Sequence, residues 1–564
     1  MSIDPQHVAN VFAEMADLIE IKGGSEFRIR AFRRVAQVLE DLPDPLEQML
    51  SDKTLQEIPG IGKGTISRIE EILKTGSCAD HQQLRSELPP GVLEMLQVPQ
   101  MGPKTVKLVH QELGISSVDE LEAAAHAGQL AELPRMGAKS QTRLLNAIAA
   151  YRRRRGRCPL GQALPQAEAL AALLRALPEA KRVDIAGSTR RAKETIGDID
   201  LLVTGDEVAP IMDAFVGAPV VAELLLRGDT KCSVRLDSGL QVDLRVIPAE
   251  SYGAALHYFT GSQMHNIAIR DRAKRSGMRI NEYGVFREPS GERLGGASEE
   301  EIFAAVGLPY IPPELREDRG EIEAAENQQL PQLISTADLR GDLHCPVNGV
   351  SSAELETLVD VAIGRGWQYL ALTPRFGVGG LDSQAFARYL NAAKVVREKS
   401  QALRLLIGAE VTITADGQID ISADLRQALD WITATLDVEA SAANPTERIC
   451  QALADPSIDA LVYPTGRVLG TSDGNGADIE AVLQAALANN VAIGISGDPL
   501  RLDLDASHCR RARDLGVRLL VSASAHNAQT LAQIDYALLT ARRGWLEPDH
   551  VLNCQAIEQL LKPR

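Results

Sequence analysis

The segment 196–202 alternates acidic and apolar residues, and it constrains the fold of this chain more than any other stretch. Its apolar residues predict a buried β-strand, in which residues two apart share one face, so Asp198 and Asp200 point the same way. A third aspartate, Asp243, lies in a later strand-like segment, 240–247, and pairing of the two strands would bring it alongside. Carboxylates held together repel each other unless cations separate them, and Mg²⁺ and Mn²⁺ prefer such oxygen ligands. The three aspartates therefore predict a site for two divalent cations and for in-line phosphoryl transfer, with Asp243 as a candidate proton acceptor.

A glycine-containing turn precedes this strand and predicts a nucleotide-binding element. Gly187 and Gly197 would let a phosphate approach the backbone closely, because neither carries a side chain. Ser188 and Arg191 offer a hydroxyl and a guanidinium for the β- and γ-phosphates. Two aspartates at this spacing are common on protein surfaces. With the upstream Gly-Ser pair and the later aspartate, however, they are typical of the nucleotidyltransferase fold.

A turn between two short amphipathic helices recurs three times within residues 1–150. Each copy has a glycine where the second helix begins, so free backbone N–H groups and the positive end of the helix dipole form an anion cradle. The repeat resembles the helix-hairpin-helix motif of DNA repair proteins, and it suits a phosphate backbone without reading base sequence. A purely structural helical connector is the alternative, whereas the spacing does not fit a P-loop. The residues predicted to bind DNA are Gly60, Gly62, Lys63, Gly102, Lys104, Gly137 and Lys139.

The net charge of −17 does not exclude a nucleic-acid partner, because phosphate contact needs local positive charge rather than a basic total. The excess of negative charge lies beyond residue 157, and a run of arginines, residues 152–155 with Arg157, closes the first segment. That run is either a phosphate contact or a solvated helix end. Seven cysteines without a CxxC pair, no apolar stretch of membrane length and no secretory signal favour a cytoplasmic protein that has no membrane partner.

Together with the aspartates and the glycine-containing turn, the segment Tyr258-Phe259-Thr260-Gly261-Ser262 resembles the nucleotide-binding segment of the family X DNA polymerases, of which DNA polymerase beta is the best-known member. The resemblance implies that Tyr258 and Phe259 pack beside the sugar of the incoming nucleotide and that Tyr258 disfavours a ribose 2′-hydroxyl. It assigns Gly261 to the nucleotide-binding segment. It also implies that Asn266 contacts the nucleotide base in the minor groove and that Arg270 senses the template side.

Residues 20–75 resemble the small family domain that binds the 5′-phosphate side of a gap, with a basic helix at 27–34. In several relatives this domain is also a lyase, which needs a lysine amine to form a Schiff base. The matching residue here is Arg68, whose guanidinium stays protonated. We therefore expect 5′-phosphate binding with weak or absent lyase activity, unless Lys63 substitutes.

Residues 335–564 resemble the polymerase-and-histidinol-phosphatase (PHP) domain of bacterial family X enzymes, on the segments 340–344, 408–411, 464–467 and 541–548. The resemblance implies a seven-stranded (β/α) barrel whose active members hold three metal ions on His, Asp and Glu ligands and hydrolyse DNA from its 3′ end. Of the expected ligands this chain retains His344, Glu410 and His526, whereas the other positions read Pro346, Asn348, Arg375, Asp437, Tyr463 and Ser524. We expect a degenerate domain without the trinuclear cluster, in which Arg375 takes over the structural role of a metal. One weak site that adds Asp437 remains open, and a working Mn²⁺-dependent 3′-5′ exonuclease is the alternative.

The predicted architecture is multidomain. The expected parts are a 5′-phosphate-side domain (1–80), a helix-hairpin-helix subdomain (81–157), a nucleotidyltransferase palm (158–248), a nucleotide-binding subdomain (249–317), a linker (318–334) and the PHP domain (335–564). The first two are expected to be all-α, the palm α+β, and the last an α/β distorted (β/α)7 barrel. The linker, rich in Glu and Gln, is expected to permit several arrangements of the PHP domain.

These observations predict a template-directed DNA polymerase that fills short gaps in DNA repair. Its expected partners are gapped or primed DNA and dNTPs, its cofactors are two divalent cations, Mg²⁺ or Mn²⁺, and it is expected to act as a monomer. A template-free nucleotidyltransferase shares the aspartates but has no use for three hairpins. A non-enzymatic scaffold that binds DNA ends does not need the aspartates.

Overall fold

The computed structural model divides the chain into two compact units, Met1–Gly156 and Arg157–Arg564. The residues that it describes are 5–40, 49–50, 55, 58, 61–75, 78–96, 98, 101–134, 136–137, 141–145, 147–148, 151, 157–347, 351–377, 379–436 and 444–560. Gly60, Lys139, Asn348, Asp437 and the arginines at 152–155 lie outside the described residues.

The first unit is helical wherever the structure describes it. Its α-helices are α1 (Pro5–Ile21), α2 (Glu26–Glu40), α3 (Lys63–Thr75), α4 (Ala79–Ser86), α5 (Pro90–Met95), α6 (Pro103–Leu113) and α7 (Val118–His126), followed by a 3₁₀ turn at Gln129–Glu132. Helix α6 shows why they form, since Val106 and Val109 lie on one buried face three residues apart. Gly102 precedes the first residue of α6, Pro103, which has the fixed φ angle and missing N–H that suit a helix start. The helix-hairpin-helix repeat predicted for this region is confirmed.

The palm contains a five-stranded sheet of β2 (Ala180–Ile185), β4 (Asp198–Gly205), β5 (Val221–Arg227), β6 (Lys231–Leu236) and β7 (Gln241–Val246), and the short β1 (Cys158–Pro159) pairs with β3 (Thr195–Ile196). The order across the five-stranded sheet is β2-β4-β7-β6-β5. Strands β4 and β7 are parallel, and the other pairs in the five-stranded sheet are antiparallel. Helices α8 (Leu160–Arg175), α9 (Gly187–Arg190) and α10 (Val208–Val216) complete this α+β layer.

The subdomain predicted to bind the nucleotide follows the palm. It contains α11 (Tyr252–Thr260), α12 (Gln263–Arg275), a small antiparallel sheet of β8 (Met278–Asn281), β9 (Gly284–Arg287) and β10 (Arg293–Gly295), and α13 (Glu299–Ala305). Its core also receives Trp545 from the C-terminal end of the chain.

The segment 318–334, predicted as a loose linker, is an ordered part of the second unit. It contains α14 (Glu321–Glu326), in which Glu321 and Ala325 are buried. The expectation of several arrangements is wrong for this segment in the structure, because Glu321 forms a buried ion pair with His265 and Ala325 packs in the same core as Trp545.

The C-terminal domain is a nearly closed parallel barrel, as the resemblance implies. Seven strands follow in the order β11 (Gly341–Cys345), β12 (Tyr369–Leu372), β14 (Arg404–Ile413), β15 (Trp431–Leu436), β16 (Ala460–Leu461), β17 (Ala492–Ser496) and β18 (Leu519–Ser522), and β13 (Arg375–Phe376) pairs with β14. The helices between them are α15 (Ser352–Gly364), α16 (Ser383–Lys399), α17 (Ala423–Ala428), α18 (Pro445–Ala452), α19 (Ile479–Ala488), α20 (Ala506–Leu515) and α21 (Ile534–Arg543). The Ser522 hydroxyl donates to the carbonyl of His344, which connects the last strand to the first.

Across the described ranges, every helix is too short or too polar to cross a bilayer.

Candidate active site

The strand register brings two of the three predicted aspartates directly side by side. Asp200 on β4 is paired with Asp243 on β7, and Asp198 is paired with Gln241. Because the two strands run parallel without a register shift, the side chains of the paired aspartates leave the same face of the sheet. Asp198, two residues before Asp200, lies on that face as well, and it is exposed.

Asp200 carries the clearest electrostatic sign of this cluster. Burial and the negative charges of Asp198 and Asp243 raise its pKa to about 7. Gly187 leaves room for this carboxylate because it has no side chain: a Cβ on Gly187 would lie 2.3 Å from Asp200 Oδ2. Gly187 also has a φ of +62°, a conformation that glycine adopts at little cost. The glycine predicted to admit phosphate therefore also makes room for Asp200.

Asp243 is buried and hydrogen-bonded, and it accepts from a residue that the sequence did not indicate. Lys231 Nζ lies 2.7 Å from Asp243 Oδ2, and Gln241 donates to Asp243 Oδ1 at 2.9 Å. Burial on its own raises the pKa of Asp243, but hydrogen bonds from Lys231, Gln241 and Ser233 outweigh it and hold the pKa below its usual value. The sequence offered one signal for Lys231: it lies two residues before Ser233, so on a strand the two side chains share the face that meets Asp243.

The carboxylates fit divalent cations by charge rather than as a ready-made ligand set. No group of three His, Cys, Asp or Glu side chains within the described ranges is gathered closely enough to hold a metal ion. Burial is the largest cause of the raised pKa of Asp200; the negative charges of Asp198 and Asp243 add to it, and Arg245 and Lys231 oppose it. Three carboxylates against these two cationic side chains leave an excess of negative charge. Such an excess is what a bound cation would compensate.

The other residues predicted for the triphosphate surround the Gly187 turn. Ser188 is half-buried in α9, and Gly197 lies against Arg157, whose Nη1 would be 3.2 Å from a Cβ at that glycine. Arg191 is buried, with Nε donating to Glu317 at 2.9 Å and Nη1 donating to the carbonyl of Thr260 at 2.8 Å. Its guanidinium thus joins the turn to the segment that precedes Gly261.

A second ion-pair group, not foreseen from the sequence, lies beside Arg191. Arg190 forms two hydrogen bonds with Glu299, at 2.7 and 2.9 Å, and one with Thr260 Oγ1 at 2.8 Å. Arg316, which has no exposed surface, pairs with the same glutamate at 2.5 Å. Burial alone raises the pKa of Glu299, but Arg190 and Arg316 outweigh it and lower the pKa to about 2.

The segment predicted to bind the nucleotide sugar and base is held together internally. The rings of Tyr258 and Phe259 meet edge to face, with centroids 5.1 Å apart. Asn266 Nδ2 donates to the carbonyl of Tyr258 at 2.7 Å, and Arg270 Nε donates to the carbonyl of Asn266 at 3.1 Å. A Cβ on Gly261 would lie 2.4 Å from Asn266 Oδ1, so this turn also requires a glycine.

The hairpin turns of the first unit are open at their glycines. A Cβ on Gly62, Gly102 or Gly137 would meet no atom of the described residues within 4 Å, and Lys63 and Lys104 are exposed. Arg68, at the position where a lyase needs lysine, donates through Nε and Nη2 to Asp80 at 2.8 and 2.5 Å.

In the C-terminal barrel, two of the three retained ligand positions come together. His344 Nε2 lies 2.7 Å from Glu410 Oε2, and Arg375 Nε donates to Glu410 Oε1 at 2.8 Å. Burial raises the pKa of Glu410, but the hydrogen bond from His344 and the charge of Arg375 reverse the shift and lower it. His526 Nδ1 is instead 2.7 Å from the carbonyl of Pro346, on the wall of the same cavity of about 620 Å³.

Aspartates on parallel strands of an α+β palm, in a chain that also contains helical hairpins, are typical of a nucleotidyltransferase that works on a polynucleotide. Family models agree: residues 255–317 match the DNA polymerase beta thumb, residues 4–78 a helix-hairpin-helix domain, and residues 92–150 a SAM-like helix-hairpin-helix tandem. The chain is 31% identical to the DNA polymerase/3'-5' exonuclease PolX of Bacillus subtilis (strain 168), over 98% of each chain.

Two more distant relatives match about half of this chain. Rat DNA polymerase lambda is 23% identical over 55% of this chain and 56% of its own length, and human DNA-directed DNA/RNA polymerase mu is 26% identical over 52% of this chain and 65% of its own. The chain belongs to the bacterial family X DNA polymerases.

Proposed function

We propose that this DNA-directed DNA polymerase fills short gaps during DNA repair, by joining dNTPs to a primer 3′-hydroxyl at a site built on Asp198, Asp200 and Asp243. The observation that carries the proposal is the register of β4 and β7, which sets Asp200 beside Asp243. The raised pKa of Asp200 supports it, because after burial, which is the largest cause, the negative charges of Asp198 and Asp243 also raise it.

The three aspartates would hold two divalent cations, Mg²⁺ or Mn²⁺, which supply activation of the 3′-hydroxyl and neutralise the triphosphate when bound. Lys231 holds Asp243 ionised and oriented through its hydrogen bond to Oδ2. Gly187 keeps space for the Asp200 carboxylate. Ser188, Gly197 and the fixed positive charge of Arg191 would make the Gly187 turn favourable for the triphosphate.

The nucleotide would be selected by the segment that begins at Tyr258. Tyr258 and Phe259 would pack beside the sugar, with Tyr258 disfavouring a ribose, and Gly261 shapes the turn beneath them. Asn266 would contact the base and Arg270 the template side. The hydrogen bond from Asn266 to the Tyr258 carbonyl supports a shared role, because it couples the base contact to the sugar contact.

DNA is a partner of this family member, and we propose that the hairpins contact its phosphate backbone. The open glycines Gly62, Gly102 and Gly137, with exposed Lys63 and Lys104, support this role; Gly60 and Lys139 are assigned to it by the sequence repeat alone. We further propose that the protein acts as a monomer in the cytoplasm. Its seven cysteines form no disulfide, which is consistent with a reducing compartment.

For the C-terminal domain we propose a structural role without the trinuclear cluster. Both oxygens of Glu410 already accept hydrogen bonds, from His344 and Arg375, so the guanidinium supplies the positive charge there. The Bacillus relative is named as an exonuclease as well as a polymerase, and an exonuclease acting through His344, Glu410 and His526 is therefore the second candidate.

The decisive experiment is single-nucleotide extension of a primer on a one-nucleotide gap. Asp200→Ala and Asp243→Asn should each lower the extension rate about a thousandfold. Asp206→Asn is the matched control, because Asp206 follows the far end of β4, and it should retain the wild-type rate. Extension that does not depend on the template would favour the template-free class, and tight gap binding without extension would favour the scaffold.

A further inference from the structure

The polymerase palm and the C-terminal barrel share one buried cluster of charges, formed by Arg191, Glu317 and Arg543. Arg543, the last residue of α21, donates through Nη1 to the backbone carbonyl of Arg191 at 2.5 Å and lies 3.2 Å from Glu317 Oε1. The same glutamate oxygen accepts from Arg191 Nε at 2.9 Å. All three side chains are about nine-tenths buried, so they form a buried ion-pair cluster rather than a solvent-exposed salt bridge that salt would screen.

One member of this cluster, Arg191, directly contacts the segment proposed to bind the nucleotide. A second nitrogen of the same guanidinium, Arg191 Nη1, donates to the carbonyl of Thr260, the residue before Gly261. Arg191 itself ends the turn that begins at Gly187. The guanidinium therefore sets the separation between the turn proposed for the triphosphate and the segment proposed for the sugar.

The barrel also contacts the loop that follows Arg191. Arg467 forms an ion pair with Glu194 at 2.9 Å, and Leu502 is buried in the palm core. The barrel also packs closely against α8, because a Cβ on Gly161 would lie 2.0 Å from the Cβ of Pro499. Arg543 therefore lies within a closely packed contact between the barrel and the palm, and this contact holds its guanidinium in place.

We propose that Arg543 of the C-terminal domain is a positioning residue for dNTP binding by the palm: with Glu317 it fixes Arg191, and Arg191 holds the carbonyl of Thr260. This inference rests on the proposed function, in which the Gly187 turn and the Gly261 segment bind the nucleotide. A displacement of about 1 Å in such a site can cost about a hundredfold in rate, so the effect of losing this contact is large enough to measure.

The neighbouring Arg542 is a matched control. It lies on the same helix and forms the same kind of ion pair, with Glu314 at 2.6 Å, and it donates to the carbonyl of Ile334. It does not contact Arg191 among the residues that the structure describes. Loss of Arg542 therefore removes an equivalent domain contact without releasing Arg191.

The test is steady-state gap filling by the full chain, with dNTP concentration varied at saturating gapped DNA. Arg543→Gln should raise KM for dNTP about tenfold and change kcat less than about threefold, because it removes binding rather than chemistry. Arg542→Gln should leave KM within about twofold of wild type. Arg543→Lys should recover part of the affinity, because its ammonium can pair with Glu317 but lacks the rigid planar group that holds Nη1 on both Glu317 and the Arg191 carbonyl.

Glu317→Gln combined with Arg543→Gln should raise KM by less than the product of the two single effects, because the residues are in contact. If Arg543→Gln does not fold, as judged by circular dichroism, Arg543→Lys carries the test with an expected rise of about threefold. An unchanged KM in the folded Arg543 variant, or an equal rise in Arg542→Gln, would overturn the inference. Asp243→Asn tests the proposed function separately. If Asp243→Asn still extends the primer, the proposed function is wrong. If Asp243→Asn abolishes extension but Arg543→Gln has a normal KM, only the positioning role of Arg543 is wrong.

Discussion

Lys231 Nζ and Asp243 Oδ2 lie 2.7 Å apart on neighbouring antiparallel strands of the palm sheet. The ammonium thus contacts the carboxylate that we propose as a metal ligand, and it competes with a cation for the same oxygen. Its hydrogen bond also helps to hold the pKa of Asp243 low, so Asp243 is ionised at neutral pH. The relationship sets both the charge and the cation affinity of the site.

Replacing Lys231 is expected to strengthen cation binding. A partly exposed ion pair of this kind is worth about 1 kcal/mol, so Lys231→Gln should lower the half-saturating Mg²⁺ concentration for extension about fivefold. The measurement is extension rate against Mg²⁺ concentration at pH 7.5. Lys181→Gln, which removes the Lys181–Asp206 pair from the same sheet, is the control and should leave the Mg²⁺ dependence unchanged. A higher Mg²⁺ requirement in Lys231→Gln would show that the lysine assists cation binding.

Replacing Gly187 by alanine is expected to impair catalysis more than folding. The new Cβ would lie 2.3 Å from Asp200 Oδ2 and displace that carboxylate, so the extension rate should fall about a hundredfold. Gly239→Ala is the matched control, because Gly239 has a φ of +83° with open space around its Cβ position. Both variants should lose about 1–2 kcal/mol of unfolding free energy from backbone strain, measured by urea denaturation. Equal activity losses in the two variants would contradict the crowding of Asp200.

Glu299 is expected to contribute stability that depends on pH. Its folded-state pKa is lowered to about 2, below the usual value of 4.5, so its contribution is fully present above pH 4.5 and is lost as the pH falls towards 2. Glu299→Gln should therefore cost about 3 kcal/mol of unfolding free energy at pH 7, and the difference from wild type should shrink below pH 4.5. Urea denaturation at several pH values measures it. Glu300→Gln changes the neighbouring exposed residue in the first turn of the same helix and should cost little at any pH. A cost that stays constant between pH 7 and pH 3 would contradict the charge pairing.

The C-terminal barrel is expected to lack metal-dependent nuclease activity. Glu410 already accepts from His344 and Arg375, and the guanidinium cannot be exchanged for a cation without movement. We therefore expect no Mn²⁺-dependent degradation of a DNA 3′ end by the full chain, under conditions in which the Bacillus relative is active. The manganese content after gel filtration should be the same in wild type and Glu410→Ala. Degradation that survives Asp198→Ala and disappears with Glu410→Ala would establish the exonuclease instead.

Local patterns in the sequence were sufficient where a property depends on neighbouring residues. The period of two placed Asp198 and Asp200 on one face, and the glycine at the start of α6 placed a helix terminus. The replacement of expected ligands by Pro346 and Arg375 follows from the sequence alone, since neither side chain can be read as a metal ligand. The multidomain fold class and the polymerase family were predicted on this basis and are confirmed.

Tertiary structure decided whatever depends on partners distant in sequence. The composition of 318–334 is typical of a solvated linker, yet Glu321 of that segment is buried against His265, and the adjacent Glu317 is buried against Arg543. A charged residue in a sequence looks solvent-exposed unless its counter-charge is known, and these partners lie 56 and 226 residues away. In the same way, the ion pair of Lys231 with Asp243 follows from the pairing of β6 with β7, because only the sheet brings the two side chains within hydrogen-bond distance.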